Sequence, residues 1–314
     1  MKPLPSLLED SSAIDSTLKG SDRDAAARWL RHASSIAMAD LHQQRVVYLG
    51  PEYSYSHLAT IKVFGDAYPM AGVASISAVF DSIVRGDASH GVVPIENSTD
   101  GRVVDTLGMF IRVSVQICGE VLLPIHHNLL SLSDRESITE VYSKPQALSQ
   151  CRGWLANQLP KARLIDISST TAAAELAASK PGVAAIASIE AGRQYSLNVI
   201  DASIEDNPNN VTRFAILGRE SSPPTGNDKT AILFQVDHRP GALADAMLKF
   251  KEAGLNLTWI ESFPVPGTNA EYLFFVETVG HASEPKVAAA LDQLRSIAIR
   301  LEVLGSYPKA TALS

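Results

Sequence analysis

Short apolar runs alternate with stretches of mixed spacing along this chain. Val46-Val47-Tyr48-Leu49 and Gly91-Val92-Val93-Pro94-Ile95 are apolar blocks bounded by turn residues, which predicts buried strands. Residues 56–65, 77–85 and 103–111 read as helices around them, and 115–123 reads as extended. Pro145 suits the first turn of a helix over 145–158. The extended stretch 162–167 leads into an alanine-rich helix ending near residue 178. Val183-Ala184-Ala185-Ile186-Ala187, 196–200 and 212–218 return to strand character. Recurring strand, turn and helix favour an α/β fold with crossover helices.

The same pattern divides the chain. A second α/β unit begins near Ile125, so the expectation is two lobes with a cleft between them. Lobe 1 would take residues 46–124 and 196–220, and lobe 2 residues 125–195. Residues 221–228, with two prolines, a glycine and polar neighbours, read as a linker. Beyond it come strand 229–237, helix 240–253, strands 256–263 and 270–279, helix 284–298 and strand 300–304. That βαββαβ order predicts a split βαβ sandwich over 229–314. Residues 1–45 form an N-terminal extension, with an amphipathic helix expected at 24–42.

Composition narrows the function. The chain has 314 residues, 46% apolar and 19% charged, which suits packed domains rather than a disordered chain. Its formal charge of −7, with no Lys/Arg block, gives nucleic-acid binding little electrostatic basis. No stretch is long and apolar enough to span a membrane or direct secretion, so a cytoplasmic protein is expected. Cys118 and Cys151 are too few for a disulfide framework or a cysteine zinc site. Neither a Gly-x-Gly-x-x-Gly loop nor a P-loop is present, so no nucleotide cofactor is expected.

Candidate chemistry gathers at strand ends. In Asn209-Asn210-Val211-Thr212-Arg213-Phe214, Thr212 offers a hydroxyl donor and Arg213 a planar fork suited to a carboxylate. Pro94-Ile95-Glu96-Asn97-Ser98 follows a strand, with Asn97 and Ser98 placed to orient a polar substrate and Glu96 to fix neighbouring donors. Ser54 and Ser56 follow the first strand, where helix starts favour anions. Ser143 and Lys144 precede another helix, and Ser168-Ser169-Thr170-Thr171 gives a further hydroxyl-rich helix start. His126-His127 is a poor metal site, because adjacent strand side chains face opposite ways.

Taken together, Tyr48-Leu49-Gly50-Pro51-Glu52, Val93 to Ser98, Ser143-Lys144-Pro145-Gln146-Ala147-Leu148 and Thr212-Arg213-Phe214 resemble prephenate dehydratase. Gly241-Ala242-Leu243 and Ile260-Glu261-Ser262-Phe263-Pro264 are similar to an ACT domain. The resemblance implies a two-lobed catalytic region of periplasmic-binding-protein-like topology that converts prephenate to phenylpyruvate, water and carbon dioxide. It implies catalytic roles for Thr212, Arg213, Asn97 and Ser98, with Arg213 on a substrate carboxylate. Ser54, Ser56, Glu96, Ser143, Gln146, Ala147, Thr170 and Phe214 would complete the substrate site. Phenylalanine, the implied allosteric ligand, would meet Gly241, Ala242, Leu243, Asn256, Leu257, Thr258, Glu261 and Ser262. A homodimer or homotetramer is implied, with no cofactor and no metal.

Three positions depart from the family pattern. Tyr53-Ser54 stands where Gly-Thr is common, Lys144 where histidine is common, and Phe263 where the regulatory Glu-Ser-Arg-Pro motif has arginine. Residues 26–45 resemble only the tail of a chorismate mutase helix region, too little for the full mutase domain. Two other readings share these features: a prephenate decarboxylase that leaves the ring nonaromatic, and a noncatalytic carboxylate- or amino-acid-binding protein.

Overall fold

The computed structural model describes residues 45–265 and 271–310. The N-terminal extension, with its expected helix and its mutase likeness, lies outside the described residues apart from Arg45. In chain order, β1 (Val46–Leu49), α1 (Tyr55–Phe64), β2 (Met70–Val73), α2 (Ile76–Arg85), β3 (His90–Asn97), β4 (Gly101–Arg102), α3 (Val104–Arg112) and β5 (Gln116–Pro124) build the first lobe. The second contains β6 (Asn128–Ser131), β7 (Glu140–Ser143), α4 (Pro145–Gln150), α5 (Arg152–Gln158), β8 (Arg163–Asp166), α6 (Thr170–Ser179), β9 (Val183–Ala187), α7 (Ile189–Gln194) and β10 (Asn198–Asp201). Strand β11 (Val211–Gly218) returns to the first sheet.

The first sheet runs β2-β1-β3-β11-β5, with β4 pairing β3 at one end. Strands β1, β2 and β3 are parallel, and β11 lies antiparallel between β3 and β5. The C-terminal ends of β1 and β3 therefore meet the N-terminal end of β11 along one edge. The second sheet runs β10-β6-β9-β7-β8. Two crossings join the lobes, and they touch where the Ile125 amide donates to the Asn210 carbonyl at 2.8 Å.

Two expectations need correction. Residues 196–200 were expected in lobe 1, but β10 pairs with β6 in the second sheet. The chain therefore returns after Asp201, and the apolar run alone could not say which sheet would accept it. The helix expected over 145–158 breaks at Cys151 into α4 and α5.

After the linker, β12 (Asp228–Val236), α8 (Ala242–Glu252), β13 (Leu257–Pro264), β14 (Tyr272–Val279), α9 (Pro285–Arg295) and β15 (Ala298–Pro308) form a βαββαβ unit. Its antiparallel sheet has the order β13-β14-β12-β15. Strand β12 is buried along its whole length because both faces are covered. Ile232, Phe234 and Val236 pack under α8 and α9, while Ala231 and Leu233 face lobe 1 with Phe275 and Tyr307. Strand β11 alternates likewise: Phe214 and Ile216 pack with Tyr48 and Ala59, whereas Ala215 and Leu217 join the core shared with the C-terminal unit. Close docking requires a glycine at 305: a Cβ there would lie 2.1 Å from the Ile117 carbonyl oxygen of β5, and its φ is +146°.

Candidate active site

Register places Thr212 of β11 opposite Asn97 of β3. The Asn97 Nδ2 amide donates to Thr212 Oγ1 at 2.8 Å and to Asn210 Oδ1 at 2.8 Å. Its Oδ1 accepts from the backbone amides of Thr99 at 2.9 Å and Asp100 at 3.0 Å. With Asn97 supplying a proton to its oxygen, the Thr212 hydroxyl retains its own proton for donation elsewhere. Ser98 closes the turn below: its hydroxyl donates to the Asn209 carbonyl and accepts from the Val211 amide.

Lobe 2 reaches this cluster through Gln150. Gln150 Nε2 donates to Asp100 Oδ2 at 2.7 Å, and its Oε1 accepts from Asn210 Nδ2 at 2.9 Å. His127 Nε2 lies 2.8 Å from the same oxygen, and Tyr55 Oη lies 3.2 Å from His127 Nδ1. Burial lowers the His127 pKa below its ordinary value, against an opposing pull from Gln150 and Glu205. A neutral ring bonded to an amide oxygen must carry its proton on Nε2. Sequence reasoning passed over Asp100, Gln150, Asn210, His127 and Tyr55. Asn210 stood in the polar run before Thr212, Asp100 and Gln150 at the ends of candidate segments, and His127 was weighed only as a metal ligand.

The first loop forms one wall of a cavity of about 830 Å³ between the lobes. Pro51, Tyr53 and His57 line it from lobe 1, and Ser169, Thr171 and Tyr195 from lobe 2. Tyr53 adopts φ 62°, a left-handed conformation that explains why glycine suits this position. Its carbonyl accepts from Ser188 of lobe 2 at 3.3 Å, and its ring packs against the lobe 2 core. Thr212 is not among the walls of this cavity, and only 8% of its surface is exposed. The lobes touch at Tyr53 in this arrangement.

Several predicted site residues sit elsewhere. Arg213 points to the opposite face of β11 from Thr212, as strand alternation dictates. Its Nη1 meets both Glu277 oxygens at 2.8 Å and Glu120 at 3.1 Å, and its Nε meets Glu96 at 3.0 Å. Trp259 stacks on the guanidinium at 4.7 Å from the ring centroid. Burial, the largest single influence, opposes the charge of Arg213, but Glu277, Tyr307 and Glu120 together outweigh it and raise its pKa. The guanidinium expected on a substrate carboxylate thus joins lobe 1 to the βαββαβ unit, and Glu96 is one of its partners.

Phe214 and Ala147 belong to cores. Ser143 is fully buried and donates to the Ile186 carbonyl at 2.6 Å, while Gln146 is exposed. Ser54 caps α1, accepting from the His57 amide and donating to the Leu49 carbonyl; Ser56 is buried in that helix. Thr170 is buried at the start of α6 but does not line the cavity. Its neighbour Thr171 does, and the buried Thr171 hydroxyl has no hydrogen-bond partner among the described residues.

In the C-terminal unit, Gly241 (φ 84°) opens α8, whereas Ala242, Leu243 and Leu257 pack into the core beneath the helices. The Asn256 carbonyl accepts from the Val279 amide, and the Thr258 hydroxyl lies 3.4 Å from the Glu277 carbonyl. Glu261 pairs with Arg102 of β4, whose guanidinium lies over Phe263 at 5.7 Å from the ring centroid. Ser262 is exposed. Among the described residues, no group of His, Cys, Asp and Glu is arranged to hold a metal ion.

Two lobes with a hydroxyl–amide pair at their hinge, and a βαββαβ unit docked behind it, define a small-molecule enzyme carrying a second, smaller domain. The prephenate dehydratase family model matches residues 46–222. The bifunctional chorismate mutase/prephenate dehydratase of Pseudomonas aeruginosa is 40% identical over 291 residues, covering 92% of this chain and 80% of that protein. The prephenate dehydratase of Arthrobacter aurescens, solved in complex with L-Phe, has a TM-score of 0.78 and 32% identity, covering 84% of this chain and 90% of that one. GqqA, described as a novel type of quorum quenching acylase, has a TM-score of 0.77 and 28% identity, covering 84% of this chain and 98% of that one. The chain belongs to the prephenate dehydratase family.

Proposed function

We propose that this enzyme converts prephenate to phenylpyruvate at Thr212, with phenylalanine as a regulatory ligand of the βαββαβ domain. The observation that carries the reading is the Asn97–Thr212 contact of 2.8 Å, which leaves the threonine hydroxyl as a donor. In the reaction the bond from the ring to its carboxylate breaks and releases carbon dioxide. The electron pair enters the ring as the bond to the ring hydroxyl breaks. That hydroxyl departs as water once it has taken a proton. Aromatisation drives the sequence, so the enzyme's task is alignment and stabilisation of the departing oxygen.

Thr212 donates a hydrogen bond to that oxygen. A threonine hydroxyl is too weak an acid to carry the step alone, so the proton comes through Thr212 from water. Ser98 holds the strand end in register. With Arg213 engaged elsewhere, the substrate carboxylates are left to neutral donors. Phenylalanine regulation draws support from the Arthrobacter aurescens relative solved with L-Phe. A homodimer or homotetramer belongs to the same reading: β13 is an edge strand among the described residues and leaves Ile260 46% exposed. So does action in the cytoplasm.

The test is Thr212→Ala in purified protein, with prephenate, phenylpyruvate and nonaromatic products separated by chromatography against an enzyme-free control. We expect kcat to fall about a hundredfold or more, as for loss of a transition-state donor, with folding intact. Wild-type turnover in the folded variant would refute the assignment. A nonaromatic product from the parent enzyme would select decarboxylation instead. Phenylalanine added to the parent enzyme should lower the rate; binding without any change in rate would reject feedback.

A further inference from the structure

The hydrogen bonds around Asn97 have a direction, and that direction is set from outside the pair. Asp100 bears a carboxylate, which only accepts hydrogen bonds. Gln150 must therefore present its Nε2 amide to Asp100, at 2.7 Å, and its Oε1 to the other side. Asn210 must then offer Nδ2 to that oxygen, at 2.9 Å, and turn its own Oδ1 toward Asn97. Asn97 must in turn offer Nδ2 to Asn210 and Thr212, each at 2.8 Å. The backbone amides of Thr99 and Asp100 hold the Asn97 oxygen on the opposite side, so both ends of the relay agree. His127, donating through Nε2, adds a second proton at the Gln150 oxygen. Asn210 and His127 are 1% and 2% exposed, so water competes little for these groups.

We infer that Asp100, Gln150 and Asn210 are positioning residues that set the polarity of Asn97 and thereby aim the Thr212 proton at the substrate. Gln150 belongs to lobe 2, whereas Asp100, Asn97 and Thr212 belong to lobe 1. The relay is complete only when the lobes stand in the arrangement seen here. Detaching Gln150 would leave the polarity of Asn97 to the Thr99 and Asp100 amides alone, and restoring it would fix Asn97 from both ends. The inference rests on Thr212 as the reacting donor.

Three variants test it: Gln150→Leu, Gln150→Glu and Gln150→Leu combined with Thr212→Ala. Gln150→Leu removes the bonds to Asp100, Asn210 and His127 at similar size. It should lower kcat roughly tenfold or more and leave KM within about twofold, the split expected when an interaction acts in the transition state alone. In the Thr212→Ala background the same change should add less than about twofold, because the relay then has nothing to aim.

Gln150→Glu places two carboxylates together, which raises the pKa of the pair. A shared proton restores the original polarity, so this variant should regain activity as pH falls, while Gln150→Leu should not. Rates are corrected for acid aromatisation of prephenate without enzyme. The proposal is overturned if Gln150→Leu retains full kcat. It is equally overturned if its effect multiplies that of Thr212→Ala, or if the two single variants share one pH profile. Should Gln150→Leu fail to fold, the pH profile of Gln150→Glu decides alone. Full activity in Thr212→Ala would instead refute the reading of Thr212, a separate result.

Discussion

Replacing Arg213 with methionine separates the two roles open to this side chain. Its guanidinium faces Glu277 and Glu120, whose side chains are 1% and 4% exposed, and the more open Glu96. Loss of the cation leaves two buried carboxylates beside one remaining charge, Lys229, at 3.0 Å from Glu120 and 4.0 Å from Glu277. Breaking a buried pair from one side costs about 3–5 kcal/mol. Lys229 compensates in part, so a loss of about 3 kcal/mol is expected for the contact between lobe 1 and the βαββαβ unit. Trp259 stacks on this guanidinium, so tryptophan fluorescence during urea unfolding reports on it directly. Adding Glu277→Gln removes the stranded charge yet keeps an acceptor for Tyr307, which donates to Glu277 at 2.7 Å. The double variant should therefore recover part of the loss, at least about 1 kcal/mol. KM for prephenate should stay within about twofold in all folded variants. An unchanged unfolding midpoint together with a KM raised on the order of tenfold would refute this reasoning, and would return Arg213 to the substrate carboxylate.

Two other outcomes follow from geometry and burial. Gly305→Ala forces a methyl against the Ile117 carbonyl, so the βαββαβ unit should separate from lobe 1 and the 221–227 linker should become sensitive to limited proteolysis; cleavage at the parent rate would count against tight docking. Burial lowers the His90 pKa from 6.5 to about 4, so the unfolded chain binds the extra proton first as pH falls. Stability should therefore decline below pH 6.5 until about pH 4, by up to about 3 kcal/mol. Replacing His90 with phenylalanine should flatten that slope in denaturant titrations; an unchanged slope would show that other groups set it.

Sequence reading named residues that the fold brings together, but it assigned their neighbours unevenly. Thr212, Asn97 and Ser98 come together because register pairs the start of β11 with the end of β3. Arg213 and Glu96 were placed with substrate because they adjoin those residues in sequence. Adjacent residues on a strand face opposite ways, so the neighbours of Thr212 and Asn97 became the bolt that holds the βαββαβ unit. Ser143 and Ala147 sit in a motif that marks the family, yet their surroundings are those of a core. Motif membership reports a shared local structure as readily as contact with substrate.

The order of strands and helices and the βαββαβ unit were set by local pattern, since hydrophobic period and turn residues act over a few positions. Tertiary structure alone decided which sheet accepts residues 198–201, which face of β11 meets the second domain, and which side chains orient Asn97. Gln150 and Asp100 are 50 positions apart, and Asn210 is 60 beyond Gln150. Hydrogen bonds of 2.7–2.9 Å between such distant groups depend on how two lobes close at a double crossing, and no local pattern encodes that angle.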